Sequence, residues 1–344
     1  MDNLRFNHGP ASPPANPMLA AVDVEAPARL HLGFLDLCGD LGRRFGSLGL
    51  AIDAFPTRLQ VRPAPTISAT GPNADRAERS AQRVQQILGL PGGVHIALDA
   101  ATPGHLGLGS GTQMCLAVGA AYARLYGIEP DTGELAQTLG RGARSGIGVG
   151  AFDQGGFLLD GGRGNATAAP PVIARMAFPE SWRVVLLLDR RGEGLHGAQE
   201  LDAFRRLPPF SPERAAHLCR LALMQIMPAL AEQDLEPFAG GIAELQRVVG
   251  DHFAPAQGGR FTSAAVAEGL TFAEREGFAG VGQSSWGPTG FVLTRCEDQA
   301  VDLVRRLRRR VGDLTPLRFM IVRGCNHGSL IDTYPFTEPL RKAF

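Results

Sequence analysis

The chain is poor in cysteine, nearly devoid of lysine and without a long apolar run, and each shortage closes off a class of protein. Its five cysteines, Cys38, Cys115, Cys219, Cys296 and Cys325, stand far apart in 344 residues. Their odd number and the lack of any C-x-x-C pair argue against a disulfide framework and a zinc site, and fit a reducing compartment. No apolar stretch approaches the roughly 18 residues of a membrane span. The N-terminus has no apolar targeting core, so the expectation is a soluble, cytoplasmic protein with no membrane partner. Net charge is lacking too. The 34 basic and 34 acidic side chains cancel, so no global field draws the chain to nucleic acid, and any anion must be held by a local site. Nearly all the cations are arginine, whose planar fork suits phosphate and carboxylate, although a GC-rich coding sequence produces the same bias.

What is present suffices for two cores: 44% of the residues are hydrophobic and 20% charged, over a length beyond that of one typical domain. Residues 1–20, rich in Pro, Asn and Ala with no periodic apolar face, read as a leader outside the fold. A first domain over 21–170 opens on strands reaching from Val22 to Val61. A helix over 74–88 follows, carried by Ala77, Ala81, Val84, Ile87 and Leu88 and stopped at Gly89. A strand over 93–98 leads to a helix over 113–126 ended by Gly127, and then to a helix over 132–144. Residues 168–173 read as a linker. The second domain, 171–335, sets strands at 183–188, 291–294 and 318–322 among helices at 235–252, 263–276 and 297–311, the pattern of a ferredoxin-like sandwich. Ser211 and Pro212 mark a capped helix start, and Pro228 should kink or end that helix. Residues 336–344 read as a tail.

The strongest chemical signal is the run from Pro103 to Gln113. Gly107, Gly109 and Gly111 let backbone N–H groups turn inward, and Ser110, Thr112 and Gln113 open a helix whose positive end adds to an anion cradle. No lysine follows, and the spacing is neither that of the nucleotide P-loop nor that of the dinucleotide fingerprint. The alternative is a glycine turn that merely permits close packing. Arg29 and His31 alternate on a strand and share a side, where they could grip a carboxylate or phosphate. Asp36 beyond them is either functional or a turn residue. Arg141 and Arg144, three apart on the expected 132–144 helix, share a face and either bind phosphate or are solvated. Trp286 either stacks on an aromatic ligand or plugs the space between the domains, with Gln283, Ser284 and Ser285 as polar contacts. Cys325-Asn326-His327 reads as a turn.

Three segments in order, Ala26–Gly33, Pro103–Gln113 and Gly280–Phe291, resemble the GHMP-kinase superfamily. The resemblance implies an α/β chain with a ribosomal S5 domain 2-like N-terminal domain, a ferredoxin-like C-terminal domain and a site between them. At finer grain, Arg29-Leu30-His31-Leu32-Gly33-Phe34-Leu35-Asp36-Leu37, Arg144-Ser145-Gly146-Ile147-Gly148, Gly155–Gly162 and Gly282-Gln283-Ser284-Ser285-Trp286-Gly287-Pro288-Thr289 are similar to the β-ribofuranosylaminobenzene 5′-phosphate synthase family. That likeness implies that phosphoribosyl pyrophosphate reacts with 4-aminobenzoate, or with 4-hydroxybenzoate, releasing CO₂ and pyrophosphate. This is the first step toward a methanopterin-type one-carbon carrier. It also implies Mg²⁺, no organic cofactor and a homodimer. The catalytic expectations fall on His31, Asp36 and Asp153. Asp153 stands where several GHMP kinases carry the aspartate that deprotonates the acceptor; it is otherwise a magnesium ligand, with Ser110, or a ribose partner. Two other readings stay open, an ATP-dependent small-molecule kinase and a non-catalytic ligand-sensing homologue.

Overall fold

Two long antiparallel strands organise the chain: β1 (Leu19–Asp36) and β2 (Arg43–Ala64). The computed structural model describes residues 13–164, 169–191, 205–312 and 316–336. β3 (Ser68–Thr70), α1 (Ala74–Leu88), β4 (Gly93–Ala100), α2 (Ser110–Leu125), α3 (Thr132–Thr138) and α4 (Ile147–Asp153) follow. The chain then adds β5 (Phe157–Asp160), β6 (Arg163–Gly164) and β7 (Val172–Met176). The first sheet runs β12-β1-β2-β4-β3, where β12 is Leu330–Pro335 near the C-terminus; β5 and β6 also pair with β2, and β7 pairs with β5.

This topology corrects the domain boundary at residue 170. β7 and β12 lie beyond it yet belong to the first sheet, because β5 and β1 each offer an open edge whose N–H and C=O groups need partners. The expected leader is also shortened: β1 begins at Leu19, and Met18 N donates to Leu125 O at 2.6 Å. Residues 1–12 and 337–344 lie outside the described residues.

The second sheet runs β11-β8-β10-β9, wholly antiparallel, from β8 (Arg183–Asp189), β9 (Val281–Gln283), β10 (Thr289–Thr294) and β11 (Leu317–Val322). With strands numbered within this half, the order is 4-1-3-2, the ferredoxin-like arrangement expected. β8 is buried on both faces. Val184, Leu186 and Leu188 meet the core shared with β1 and β2, and Val185 and Leu187 pack under α8 (Ala264–Arg275) and α9 (Glu297–Val311).

Between β8 and β9 the helices α5 (Pro212–Leu221), α6 (Met227–Ala231) and α7 (Leu235–Gln257) close the shared core. Ser211 caps α5 as expected, its side chain accepting from Arg214 N. Pro228 does not end the helix where it stands. Residues Ala222–Ile226 widen into a π turn just before it, which relieves the clash between the proline ring and the preceding turn.

The expected helix over 132–144 stops at Thr138, because Gly140 and Gly142 take left-handed φ of 68° and 76°. Gly146–Gly150, too glycine-rich to read as helical, begins α4. In β1, Ala28, Leu30 and Leu32 sink into the shared core, which leaves Arg29 and His31 for the neighbouring loop. Among the described residues no helix is long and apolar enough to cross a membrane.

Candidate active site

The loop before α2 is held from two sides. Arg29 N donates to Leu108 O at 3.1 Å, and Arg29 Nη1 donates to Gly107 O at 2.5 Å. Ser284 Oγ donates to the same Gly107 carbonyl at 2.7 Å and accepts from His31 N at 3.0 Å. Ser285 N donates to His31 O at 3.1 Å. Backbone meets backbone here: a Cβ on Gly107 would stand 2.1 Å from Ser284 O, and one on Gly287 would stand 2.3 Å from Gly107 N. Close packing is thus the role of Gly107. Gly109, with φ of 86°, ends the loop and receives the N–H groups of Thr112 and Gln113 on its carbonyl, so the first turn of α2 presents its remaining donors outward.

Cations gather at this helix end. Arg29 Cγ lies 3.1 Å from the Cβ position of Gly109, and Arg76 Nη2 and Arg141 Nη1 lie 2.6 and 3.2 Å from that of Gly111. Arg76 Nη1 donates to Ser110 Oγ at 3.3 Å. Arg144 is near enough that its charge is felt at His31. Guanidiniums converging on a helix N-terminus make an anion site. Arg141 and Arg144 join it from a loop and not from the helix that their spacing suggested. Arg76 was missed, since it sits on α1, which carries no motif, and only the α1–α2 packing brings it in.

His31 is 4% exposed and its Nε2 has no hydrogen-bond partner. Burial, then the Arg29 guanidinium, pulls its pKa from 6.5 down to about 3, so the ring is neutral at physiological pH. Gln113 is fully buried; its Nε2 donates to Gly148 O at 2.8 Å, and its Oε1 is without a partner. Thr112 packs on Gly148, whose Cβ position lies 3.1 Å from Thr112 Cγ2.

Two expected catalytic acids stand elsewhere. Asp36 accepts from Cys38 N at 2.7 Å and Gly39 N at 2.8 Å, the turn role. It lies five residues past His31, roughly 16 Å along the strand. Asp153 is exposed at the far end of α4, with Thr132 Oγ1 donating to it at 3.2 Å; the residue of α4 that faces the loop is Gly148. Ser110 and Asp153 therefore do not meet, and Ser110 Oγ already takes a hydrogen bond from a guanidinium. Among the described residues, no group of three potential ligand side chains lies at the loop. Among the described residues the group of three potential ligands is Asp36, Cys38 and Asp40, and Asp36 is engaged in its own turn.

A buried carboxylate that sequence reasoning passed over supports the site from behind. Asp160 accepts from Ser47 Oγ, Ser145 Oγ (3.1 Å), Gly146 N (3.0 Å) and Gly162 N (2.9 Å). Burial raises its pKa while those donors oppose the rise. It fixes the backbone that carries Arg144 and begins α4. Cys325-Asn326-His327 forms the expected turn, Asn326 Oδ1 accepting from Phe178 N at 2.7 Å.

At His31 opens a narrow cleft lined by Phe34, Phe253, Gln257, Arg260 and Trp286 among others. Trp286 is 4% exposed with its ring 4.4 Å from that of Phe253. It is thus part of the core and a wall of the cleft. Gln283 is tied down by Gln246 and Thr262, and Gln246 also donates to Leu32 O at 2.5 Å.

A glycine loop opening a helix, set between an S5-like half and a ferredoxin-like half, defines the GHMP-kinase class of proteins. Residues 75–161 match the family described as GHMP kinases N terminal domain, and residues 226–313 match GHMP kinases C terminal. Solved structures agree in fold: homoserine kinase from Cytophaga hutchinsonii (TM-score 0.60, 18% identity, 96% of this chain and 100% of that one) and mevalonate diphosphate decarboxylase from Staphylococcus aureus (0.64, 13%, 92% and 98%). Within that class, the chain is 34% identical over 239 residues to β-ribofuranosylphenol 5′-phosphate synthase of Archaeoglobus fulgidus, covering 65% of this chain and 75% of that protein. The protein of the same name from Methanothermobacter thermautotrophicus is 27% identical over 91% of this chain and 99% of its own length. The chain belongs to the β-ribofuranosylphenol 5′-phosphate synthase family.

Proposed function

We propose that the chain transfers the phosphoribosyl group of phosphoribosyl pyrophosphate to the carboxylate-bearing carbon of a para-substituted benzoate, 4-aminobenzoate or 4-hydroxybenzoate, with loss of CO₂ and pyrophosphate. The observation that carries this reading is the juxtaposition of an arginine-rimmed glycine loop and an aromatic-walled cleft, with Gly148 and not a carboxylate facing the loop from α4. A kinase must take a proton from its acceptor hydroxyl; this reaction need not. The C1–O bond breaks with its electron pair leaving on pyrophosphate, the ring carbon forms a C–C bond to C1, and the C–CO₂ bond then breaks, its pair restoring the aromatic ring. No proton is moved.

The chain's own work is orientation and charge. The loop and Arg29, Arg141 and Arg144 receive phosphate groups. Phe34, Phe253 and Trp286 suit a flat ring, and neutral His31 offers a hydrogen-bond acceptor beside it. Any divalent metal comes in as the counter-ion of the pyrophosphate substrate, and no organic cofactor enters the reaction. The product is a precursor suited to a methanopterin-type carrier, and the five free cysteines support a reducing, cytoplasmic setting. We further propose a homodimer, supported by the exposed Leu41, Ile173 and Leu223 that line one apolar hollow; sedimentation at the monomer mass would overturn that part.

The test is isotopic. Carboxyl-labelled 4-aminobenzoate and 4-hydroxybenzoate should release labelled CO₂ only with phosphoribosyl pyrophosphate, with pyrophosphate in equal amount. CO₂ without the ribosyl donor, or ADP formed from ATP, would sink the reading. Ligand-induced stabilisation without turnover would mark a sensing homologue instead.

A further inference from the structure

We propose that Arg76 and Arg141 form a two-guanidinium clamp that takes the pyrophosphate leaving group directly, so that its charge is met by arginine and not by a metal held on the protein. The inference rests on the phosphoribosyl-transfer reading and deepens it. Arg76 reaches in from the first turn of α1 and Arg141 from the loop after α3, and their guanidiniums converge over Gly111, 2.6 and 3.2 Å from its Cβ position.

Like charges brought this close repel, and among the described residues neither arginine has an ion-pair partner. Among them the Arg76 guanidinium donates to the neutral Ser110 Oγ. Arg141 Nε is buried without a hydrogen-bond partner. Burial, and the charges of Arg141 and Arg79, pull the Arg76 pKa below its ordinary value, with Cys115 opposing. Two half-buried cations pointed at a helix N-terminus and left without a counter-charge describe a receptor for a polyanion. A diphosphate, with several negative charges spread over two phosphorus centres, matches two guanidiniums and the N–H groups of Ser110 and Gly111 better than a monophosphate does.

Arginine is also suited to the chemistry. Charge builds on pyrophosphate as C1–O breaks, and a preplaced guanidinium pair stabilises it with no reorganisation at the moment of reaction. The candidate magnesium ligands Ser110 and Asp153 lie apart, so this chain gives the leaving group arginines where a carboxylate-held metal would otherwise stand.

Calorimetry with inorganic pyrophosphate and with ribose 5-phosphate, in EDTA and in magnesium, tests the clamp. Wild type should bind pyrophosphate in EDTA. Arg76→Ala and Arg141→Ala should each weaken that binding tenfold or more while leaving ribose 5-phosphate within twofold, and Arg76→Lys should restore part of the loss. Arg79→Ala, on the exposed side of the same helix, should match wild type, and unchanged melting temperatures would show that the variants fold. Wild type that releases labelled CO₂ while Arg76→Ala binds pyrophosphate as tightly as wild type overturns the clamp alone. So does pyrophosphate binding that requires magnesium, or an equal loss of ribose 5-phosphate, which would make this the 5′-phosphate subsite. Wild type that neither binds pyrophosphate nor releases CO₂ overturns the clamp and the reaction together.

Discussion

A proton on His31 would meet burial and two guanidiniums at once. The ring is 4% exposed, stands edge-on to Phe34 at 4.7 Å, and has no hydrogen-bond partner at Nε2. Its pKa is accordingly held near 3, against 6.5 for the ordinary side chain. Between those values the unfolded state binds more protons than the native state, so stability present above about pH 6.5 is lost as pH falls toward 3. Each pH unit inside the window is worth about 1.4 kcal/mol, so going from pH 7.5 to pH 5 should cost on the order of 2 kcal/mol through this side chain alone. The comparison that isolates it is His31→Gln, which cannot titrate. The variant loses the ring packing and should be about 1–2 kcal/mol less stable at pH 7.5, but its stability should fall less steeply in acid. Urea unfolding followed by tryptophan fluorescence at four pH values between 7.5 and 5 gives both curves. If the two acid limbs run parallel, the buried-neutral account of His31 is wrong, whatever the offset between them.

Two further outcomes follow from the loop. Gly109→Ala places a methyl at φ of 86° and 3.1 Å from Arg29 Cγ; it should cost about 1–2 kcal/mol in backbone strain and weaken phosphoribosyl pyrophosphate binding as Arg29 is displaced. Calorimetry showing wild-type affinity in the folded variant would remove Gly109 from the anion site. Arg29→Ala loses the bond to Gly107 O and one charge of the cradle, worth about 1.5–3 kcal/mol, so kcat/KM should fall tenfold or more while the melting temperature drops by only a few degrees; activity within twofold of wild type would exclude the role.

Legibility from sequence followed the range of the interaction involved. Ser211-Pro212 capping α5, Gly89 closing α1 and Gly127 beyond α2 are decided within a few residues, and all three stand where their local signals put them. The helix Glu297–Val311 and the strands at 183–189 and 317–322 carry their period in their own side chains. The 4-1-3-2 sheet follows from such a pattern. The loop at Gly107–Gln113 was readable because a backbone that must turn inward needs glycine, and Arg29 with His31 because alternation on a strand sets a common side.

The site's composition was settled at longer range. Arg76 enters it only because α1 packs on α2, and Asp153 leaves it because six helical residues turn Gly148, not Asp153, toward Thr112. Arg141 and Arg144 reach the same place by a route their spacing did not suggest, since Gly140 and Gly142 break the helix. β7 and β12 rejoin the first sheet across a boundary that composition alone placed at 170, because edge hydrogen bonds of β5 and β1 are filled by whichever strand the tertiary path returns to them. By itself, then, the sequence determined the capped helices, the long strands, the glycine loop and the family pattern, all local in cause. Which charges converge on that loop, and which carboxylates stay away from it, was decided by the packing of segments distant along the chain.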